Sequence, residues 1–211
     1  VSGGGNVDVS AGGAPDNTGI TAADGTIDCD VWNLGTSAGS NNNTLQASIA
    51  SGTTPSVTFT ASATAGPGAN LVIAPASQNV TVSSSTILTA TLTDQYNNAR
   101  SGDRIDIFIK DTADGSLASN GSDPNPTSAI NATARFGNAD ANGKITVLYQ
   151  APAGAGLADV IDASTSTVGG GSVLDRTYTT TASGATSYRI TFVGGSSAAA
   201  GVSFHFKVEG V

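Results

Sequence analysis

Residues 86–111 read TILTATLTDQYNNARSGDRIDIFIKD, and this stretch decides the fold. Apolar and polar residues alternate on both sides of a polar break at residues 94–98. Successive side chains of an extended chain point to opposite faces, so the alternation is typical of strands with one buried face. The Asp and Asn residues of the break favour a turn. The stretch therefore predicts a strand, a turn and a strand, a pair that needs a second sheet over its apolar face.

The composition of the whole chain favours an all-β protein. Fifteen of the sixteen acidic residues are Asp, Met is absent, and there are only three Lys, so strong helix formers are scarce. Thr, Ser, Val, Gly and Asn take their place. The hydrophobic share of 38% suffices for two facing sheets, because only alternate positions of each strand need to be apolar.

The net charge of -8 excludes some classes of partner. Nucleic-acid binding depends on cationic contacts to phosphate, and anionic membrane surfaces also attract basic proteins. Apolar runs in the sequence are too short for a membrane span. We therefore expect neither nucleic acid nor membrane insertion in this segment.

Internal repetition is visible in the sequence. Residues 23–32, ADGTIDCDVW, resemble residues 141–150, ANGKITVLYQ, and Gly25 lies 118 residues before Gly143. Residues 57–66, VTFTASATAG, resemble residues 177–184, TYTTTASG, and the final glycines of these two segments have the same spacing. After each of these glycines a short segment (residues 71–73, Leu-Val-Ile, and residues 188–190, Tyr-Arg-Ile) and then an alternating run follow. The repeating unit has about the size of one immunoglobulin domain.

Four segments resemble the framework of a complete bacterial Ig-like domain of the invasin and intimin type: residues 89–98 (TATLTDQYNN), 99–109 (ARSGDRIDIFI), 111–117 (DTADGSL) and 141–149 (ANGKITVLY). Residues 19–67 resemble the closing half of another such domain. The resemblance covers nearly the whole chain, although residues 119–133 form a longer polar insertion than the family pattern. It implies tandem immunoglobulin-like Greek-key β-sandwiches. It also implies an extracellular, cell-surface location and a structural or adhesive role in a stalk or fibre.

The repeat predicts three parts. Residues 1–65 are the rear part of an Ig-like domain without its opening strands, residues 66–185 are a complete domain, and residues 186–211 are the opening strands of a further one. The short linker at residues 64–67 predicts a semi-rigid rod. We expect a window of a longer array, with neighbouring domains as partners. In the alternative, residues 186–211 complete the open unit of another copy, giving a head-to-tail filament by strand complementation.

Candidate chemistry is sparse, and no catalytic, cofactor-binding or metal-ligating residue is assigned. Cys29 is the only cysteine and is predicted to be buried and inert, between Ile27 and Val31 on the apolar side of a strand. His205 is the only histidine and is predicted to face solvent. One His and one Cys support neither a catalytic triad nor a zinc site, so we do not expect an enzyme.

Calcium is the cofactor that the sequence leaves open. Residues 140–143 are predicted to form a tight hairpin turn, but Asp and Asn oxygens at alternate positions also suit a hard cation. Asp94, Asp103 and Asp106 raise the same question if loops bring them together. An acidic residue that would close a calcium loop is missing after residue 143, so solvated turns are the preferred interpretation.

A carbohydrate- or receptor-binding module, of a secreted protein or a phage appendage, is the alternative from a different functional class. It requires exposed aromatic residues on one face. Aromatic residues make up only 5% of the chain. The candidate platform residues are Trp32, Tyr96, Tyr149, Tyr178 and Tyr188, and most of them are expected to be buried.

Overall fold

The computed structural model describes residues 1–9, 18–49, 56–110, 114–165, 176–181, 188–192 and 206–210. Within these ranges all regular structure is β-strand, which confirms the all-β prediction. His205 lies outside the described residues. The strands are β1 (Asn6–Asp8), β2 (Val31–Asn33), β3 (Gly39–Ala47), β4 (Val57–Ala63), β5 (Gly68–Ala74), β6 (Gln78–Thr81), β7 (Ser85–Asp94), β8 (Arg104–Ile109), β9 (Ser116–Ser119), β10 (Ser128–Asn131), β11 (Ala134–Asn138), β12 (Lys144–Gln150), β13 (Ala158–Ser164), β14 (Arg176–Thr181), β15 (Tyr188–Phe192) and β16 (Phe206–Gly210).

Strands β5 to β14 form a sandwich of two sheets. One sheet has four strands in the order β5-β7-β12-β9, and the other has six in the order β10-β11-β8-β13-β14-β6. Neighbouring strands are antiparallel except for β6 and β14, which are parallel. Inward-facing residues of both sheets belong to one hydrophobic cluster.

The alternation in residues 86–111 places its apolar residues in this core, as predicted. Leu88, Ala90 and Leu92 of β7 are fully buried, and so are Ile105 and Ile107 of β8. Burying an aliphatic side chain of this size stabilises a fold by about 1.5–3 kcal/mol. The stretch therefore supplies apolar side chains to both halves of the core.

The predicted pairing of these two strands is wrong. β7 pairs with β5 and β12, whereas β8 pairs with β11 and β13 in the opposite sheet. Residues 95–103 therefore cross from one sheet to the other. The turn at residues 140–143 makes a similar crossing between β11 and β12, so it is tight but is not the turn of a hairpin. Alternation shows which face of a strand is buried, but it does not select the neighbouring strand.

Among the described residues, three two-stranded ribbons lie outside the sandwich sheets: β1–β2, β3–β4 and β15–β16, each antiparallel. The strand predicted at residues 27–31 begins only at Val31, and Cys29 is exposed rather than buried. The run of three Asn at residues 41–43 is typical of a turn or a loop tip, but these residues lie within β3 beside a register shift. Ile27, Cys29 and Val31 alternate with polar residues, as on a buried strand, but such side chains are buried only where another sheet covers them.

The turns at residues 22–26 and 140–144, at equivalent positions of the sequence repeat, share one backbone geometry. In the first, the N–H of Ala22 donates to the carbonyl of Thr26, and the N–H of Gly25 donates to the carbonyl of Ala22. The turn from Asp140 to Lys144 has the same two hydrogen bonds, at positions 118 residues later. Both glycines have positive φ, +81° and +74°. The strand after the second turn is buried, whereas the residues after the first are exposed.

Candidate functional site

Three side chains of the sandwich, those of Asp94, Asn98 and Arg100, bind either the linker between β4 and β5 or the loop between β2 and β3. We call these three residues the junction clamp. Asp94 ends β7, and the other two follow it in the crossing to β8. They contact the linker itself and also the loop between β2 and β3. The junction clamp is thus the place where the N-terminal part of the chain is held to the sandwich.

Asp94 is the buried centre of the clamp, with 1% of its surface exposed. Its Oδ1 atom accepts hydrogen bonds from the backbone N–H groups of Tyr96 and Asn98, at 2.8 and 2.9 Å. Its Oδ2 atom accepts from the N–H of Gly66 at 2.9 Å and from the side-chain amide of Asn98 at 2.8 Å. Four donors therefore satisfy one buried carboxylate, and one of them belongs to the linker.

These bonds set the ionisation of Asp94. Burial on its own raises the pKa of a carboxyl group, because it disfavours the charged form. The donors from Asn98, Gly66 and Tyr96 outweigh burial, so the pKa of Asp94 lies below the ordinary value of 3.8. The group is therefore a carboxylate at neutral pH, as an acceptor of four hydrogen bonds must be.

Asn98 extends the clamp to the loop between β2 and β3. Its Oδ1 atom accepts from the N–H of Ala38 at 2.8 Å, and its Nδ2 atom donates to the carbonyl of Thr36 at 2.8 Å. One amide thus pairs with a donor and an acceptor of the same backbone segment, as a neighbouring strand would. The second hydrogen of the Asn98 amide goes to Asp94, so its donors are all used.

Two asparagines of β3 hold the same loop from its own side. Asn43 is fully buried and accepts from the N–H of Gly35 at 2.8 Å. The side-chain amide of Asn42 donates to the carbonyl of Ser37 at 2.6 Å. The loop at residues 35–38 is therefore fixed by asparagine side chains from both directions.

Arg100 holds the linker by its carbonyl groups. Its Nη1 atom donates to the carbonyl of Gly66 at 2.8 Å and to that of Ala65 at 3.2 Å. Its Nε atom donates to Asp103 at 2.6 Å, which orients the guanidinium. The linker is thus bound through both the N–H and the C=O groups of its backbone. Backbone contacts of this kind fix a geometry and need no particular linker side chain.

The candidate calcium ligands are not brought together. Asp94 binds the linker, Asp103 pairs with Arg100, and Asp106 pairs with Arg104. Among the described residues there is no group of three or more acidic, His or Cys side chains arranged for a metal ion. The carboxylate of Asp140 instead accepts from the backbone N–H groups of Asn142 and Lys144. Burial raises its pKa, but these bonds outweigh burial and the pKa is lowered.

The predicted aromatic platform is not assembled on one surface. Tyr149 and Tyr178 are fully buried in the sandwich, with ring centroids 5.4 Å apart. Trp32 is half-buried on β2, and Tyr96 is 54% exposed in the crossing between β7 and β8. The side chain of Tyr188 lies outside the described residues. Phe136, on the outer face of β11, is not among the candidates from the sequence. Its ring centroid lies 4.0 Å from the guanidinium of Arg104.

The roles of Asn98 and Arg100 were not found from the sequence. Residues 94–98 were interpreted as a solvated turn, and their composition fits that interpretation equally well. The contacts of Asn98 reach residues about 60 positions away in the chain. The sequence shows the polar turn and the short Gly-Pro-Gly linker, but no pattern in it places the two side by side.

Comparisons with known proteins find solved structures of low identity and low TM-score. No protein-family model matches the chain, and no curated protein matches it. A crystal structure of domains 4 and 5 of the S-layer protein SbsC is 13% identical over 72% of this chain and 70% of that chain, with a TM-score of 0.41. Domains 4–9 of surface layer protein SbsC are 16% identical over 90% of this chain and 25% of that chain, with a TM-score of 0.40.

A cohesin gives a further likeness. The seventh ScaB type I cohesin from Pseudobacteroides cellulosolvens is 15% identical over 55% of this chain and 93% of its own length, with a TM-score of 0.33. The chain is thus similar, at low identity, to domains of an S-layer protein and to a cohesin. At identities of 13–16% and TM-scores of 0.33–0.41 these likenesses carry no argument about this chain, and the functional argument rests on the junction clamp. No helix in the described ranges is long and apolar enough to cross a membrane.

Proposed function

We propose that the chain is a structural segment of a tandem Ig-like stalk or fibre in a bacterial surface or secreted protein. Its units are residues 1–65, 66–185 and 186–211, and its location is extracellular, at the cell surface. The module works mechanically, by setting the angle between successive sandwiches. It carries out no catalysis.

The junction clamp is the observation that carries this proposal. A linker of four residues between β4 and β5 already limits bending, since a short connection leaves few conformations. Asp94 and Arg100 bind both the N–H and the C=O group of Gly66, and Asn98 binds the loop of the preceding part. These contacts support a fixed junction, which is what an extended array needs to gain reach from each added unit.

The matching turns support the division into units. The turn from Ala22 to Thr26 and the turn from Asp140 to Lys144 have the same hydrogen bonds at the spacing of the sequence repeat. In the same way β15 and β16 pair antiparallel, as β5 and β7 do. Repeat proteins reuse one local geometry at a fixed period.

The binding-module alternative receives less support. Tyr149 and Tyr178, two of its five candidate platform residues, are fully buried. Tyr96 is exposed, but a single exposed ring offers little stacking surface. We therefore retain the mechanical role as the proposal.

Distance measurements across the junction test it. The native thiol of Cys29 is exposed and can carry one spin label, and a second label can be attached after Ser85→Cys at the far end of β7. We expect a narrow distance distribution between the two labels. Asn98→Ala should broaden it, because the loop at residues 35–38 loses two hydrogen bonds to the sandwich.

The matched control is Asn125→Ala. Asn125 also donates its side-chain amide to a backbone carbonyl, that of Asn138 at 2.6 Å, but it lies away from the junction. This variant should leave the distribution unchanged. A broad distribution in the parent chain, or equal widths with and without Asn98, would refute the fixed junction.

A further inference from the structure

The β3–β4 ribbon has an apolar face that is open to solvent. Leu45 pairs with Phe59 across the ribbon, and Ala47 pairs with Val57. Directly opposed residues of antiparallel strands point to the same face, so these four side chains form one surface. Phe59 is 50% exposed and Val57 is 56% exposed. We call this surface the open ribbon face.

The corresponding ribbon of the sandwich is covered. β13 and β14 also form an antiparallel pair, and they come about 118 residues after β3 and β4. Their inward residues Ile161 and Tyr178 are fully buried against the sheet that contains β5 and β7. Two-stranded ribbons are marginally stable alone in water, so a cover of this kind matters for stability.

The chain also contains the ribbon β15–β16, whose segments correspond to strands of the sheet that covers β13 and β14. β15 and β16 contain the sequence counterparts of β5 and β7, and like them they pair antiparallel. In the sandwich, β5 and β7 supply Leu71, Ile73 and Leu88 to the core. A ribbon built from the same segments is therefore the structure that fits the open ribbon face.

Charge favours the same match. Residues 1–65 contain five Asp and no Lys, Arg or Glu, which gives a net charge of -5. Residues 186–211 contain Arg189, Lys207 and one acid, Glu209, which gives a net charge of +1. The two ends of the chain therefore attract each other electrostatically, whereas two N-terminal ends repel.

We infer that the open ribbon face binds the β15–β16 ribbon of a second copy of this chain, which links copies head to tail. This inference rests on the proposed sandwich modules and names their partner. Such a contact is heterologous, so it continues from copy to copy unless it closes into a ring. The ribbon of the second copy supplies counterparts of β5 and β7 but none of β8. The unit formed between two copies therefore has fewer strands than the intact sandwich, and we expect the copies to associate reversibly.

Sedimentation velocity of the full 211-residue chain tests the inference. We expect the mean mass to rise with protein concentration and to fall as salt screens the attraction between the two ends. Phe59→Asp should leave the chain monomeric at concentrations where the parent associates. Val57→Asp is the second variant, and it should act in the same direction.

The matched control is Ile87→Asp. Ile87 is 50% exposed, as Phe59 is, but it lies on the outer face of β7 in the sandwich. This variant should associate like the parent. A parent chain that stays monomeric at every concentration, or oligomers that persist in both Phe59→Asp and Val57→Asp, would overturn the inference. Spin-label distances in monomeric Phe59→Asp test the junction clamp separately, so the two proposals can fail independently.

Discussion

The side-chain amide of Asn98 donates to the buried carboxylate of Asp94 at 2.8 Å while its other hydrogen binds the carbonyl of Thr36. One side chain thereby connects the centre of the junction clamp to the preceding part of the chain. Stability of the sandwich and order at the junction therefore depend on the same group of hydrogen bonds.

Replacing Asp94 by Ala should destabilise the sandwich by about 3 kcal/mol, because buried N–H groups of the crossing and the linker lose their acceptor. Chemical denaturation monitored by tyrosine fluorescence measures the change. Asp106→Ala is the control, since Asp106 pairs with Arg104 on the outer surface, and it should change the free energy of unfolding little. Equal effects of the two substitutions would contradict the central role of Asp94.

Acidification should weaken the sandwich through Asp94 and Asp140. Both have a lowered pKa in the folded chain, so the stability they contribute is fully present above the unfolded value of about 3.8. It is lost as the pH falls through the folded pKa of each group. Thermal unfolding measured between neutral pH and about pH 2 should show this loss, and Asp94→Asn should reduce its steepness. An unchanged slope in Asp94→Asn would contradict the assignment.

Tyr149→Phe should destabilise the sandwich by about 2 kcal/mol, because the Tyr149 hydroxyl donates to the buried Asp159 carboxylate at 2.8 Å. Asp159 also accepts from the N–H groups of Asp114 and Gly115. Tyr178→Phe is the matched control. Its hydroxyl donates to the neutral carbonyl of Pro75 at 2.8 Å, so about 1 kcal/mol is expected. Denaturant titrations of both variants measure the difference, and a larger loss in Tyr178→Phe would contradict it.

Gly143→Ala should cost about 3 kcal/mol of stability. The residue has a φ of +74°, and an added Cβ atom would overlap the carbonyl oxygen of Leu92. Gly102→Ala isolates the backbone contribution, because Gly102 has a φ of +84° with open space around it, and about 1 kcal/mol is expected. Denaturation midpoints compare the two, and similar losses would show that the contact with Leu92 does not matter.

Cys29 should react with a thiol reagent in the native chain as readily as after unfolding, because it is exposed. Mass spectrometry during labelling in buffer and in denaturant measures the two rates. Strong protection in buffer would support the buried position that its apolar neighbours suggested.

The sequence predicted which residues build the sandwich core, because burial follows directly from alternation along a strand. Leu88 and Ile107 are buried for this reason. Alternation could not predict that β7 and β8 lie in opposite sheets, since pairing depends on strands far away in the chain. The exposure of Cys29 was missed for a related reason, as an apolar side needs a covering sheet to be buried. The contacts of Asn98 were not predictable, because an asparagine in a turn has the same local pattern whether or not a distant loop binds it.

The bonds of Asn98 to Thr36 and Ala38 have a consequence for behaviour under load. These bonds lie near the surface at the edge of the module, whereas the ladders of β7 with β5 and β12 are shielded within the sandwich. A chain pulled from both ends would therefore release the loop at residues 35–38 first and lengthen while its sandwich stays folded. When the force is removed, the amide of Asn98 can bind the loop again, so the extension at the junction would be reversible.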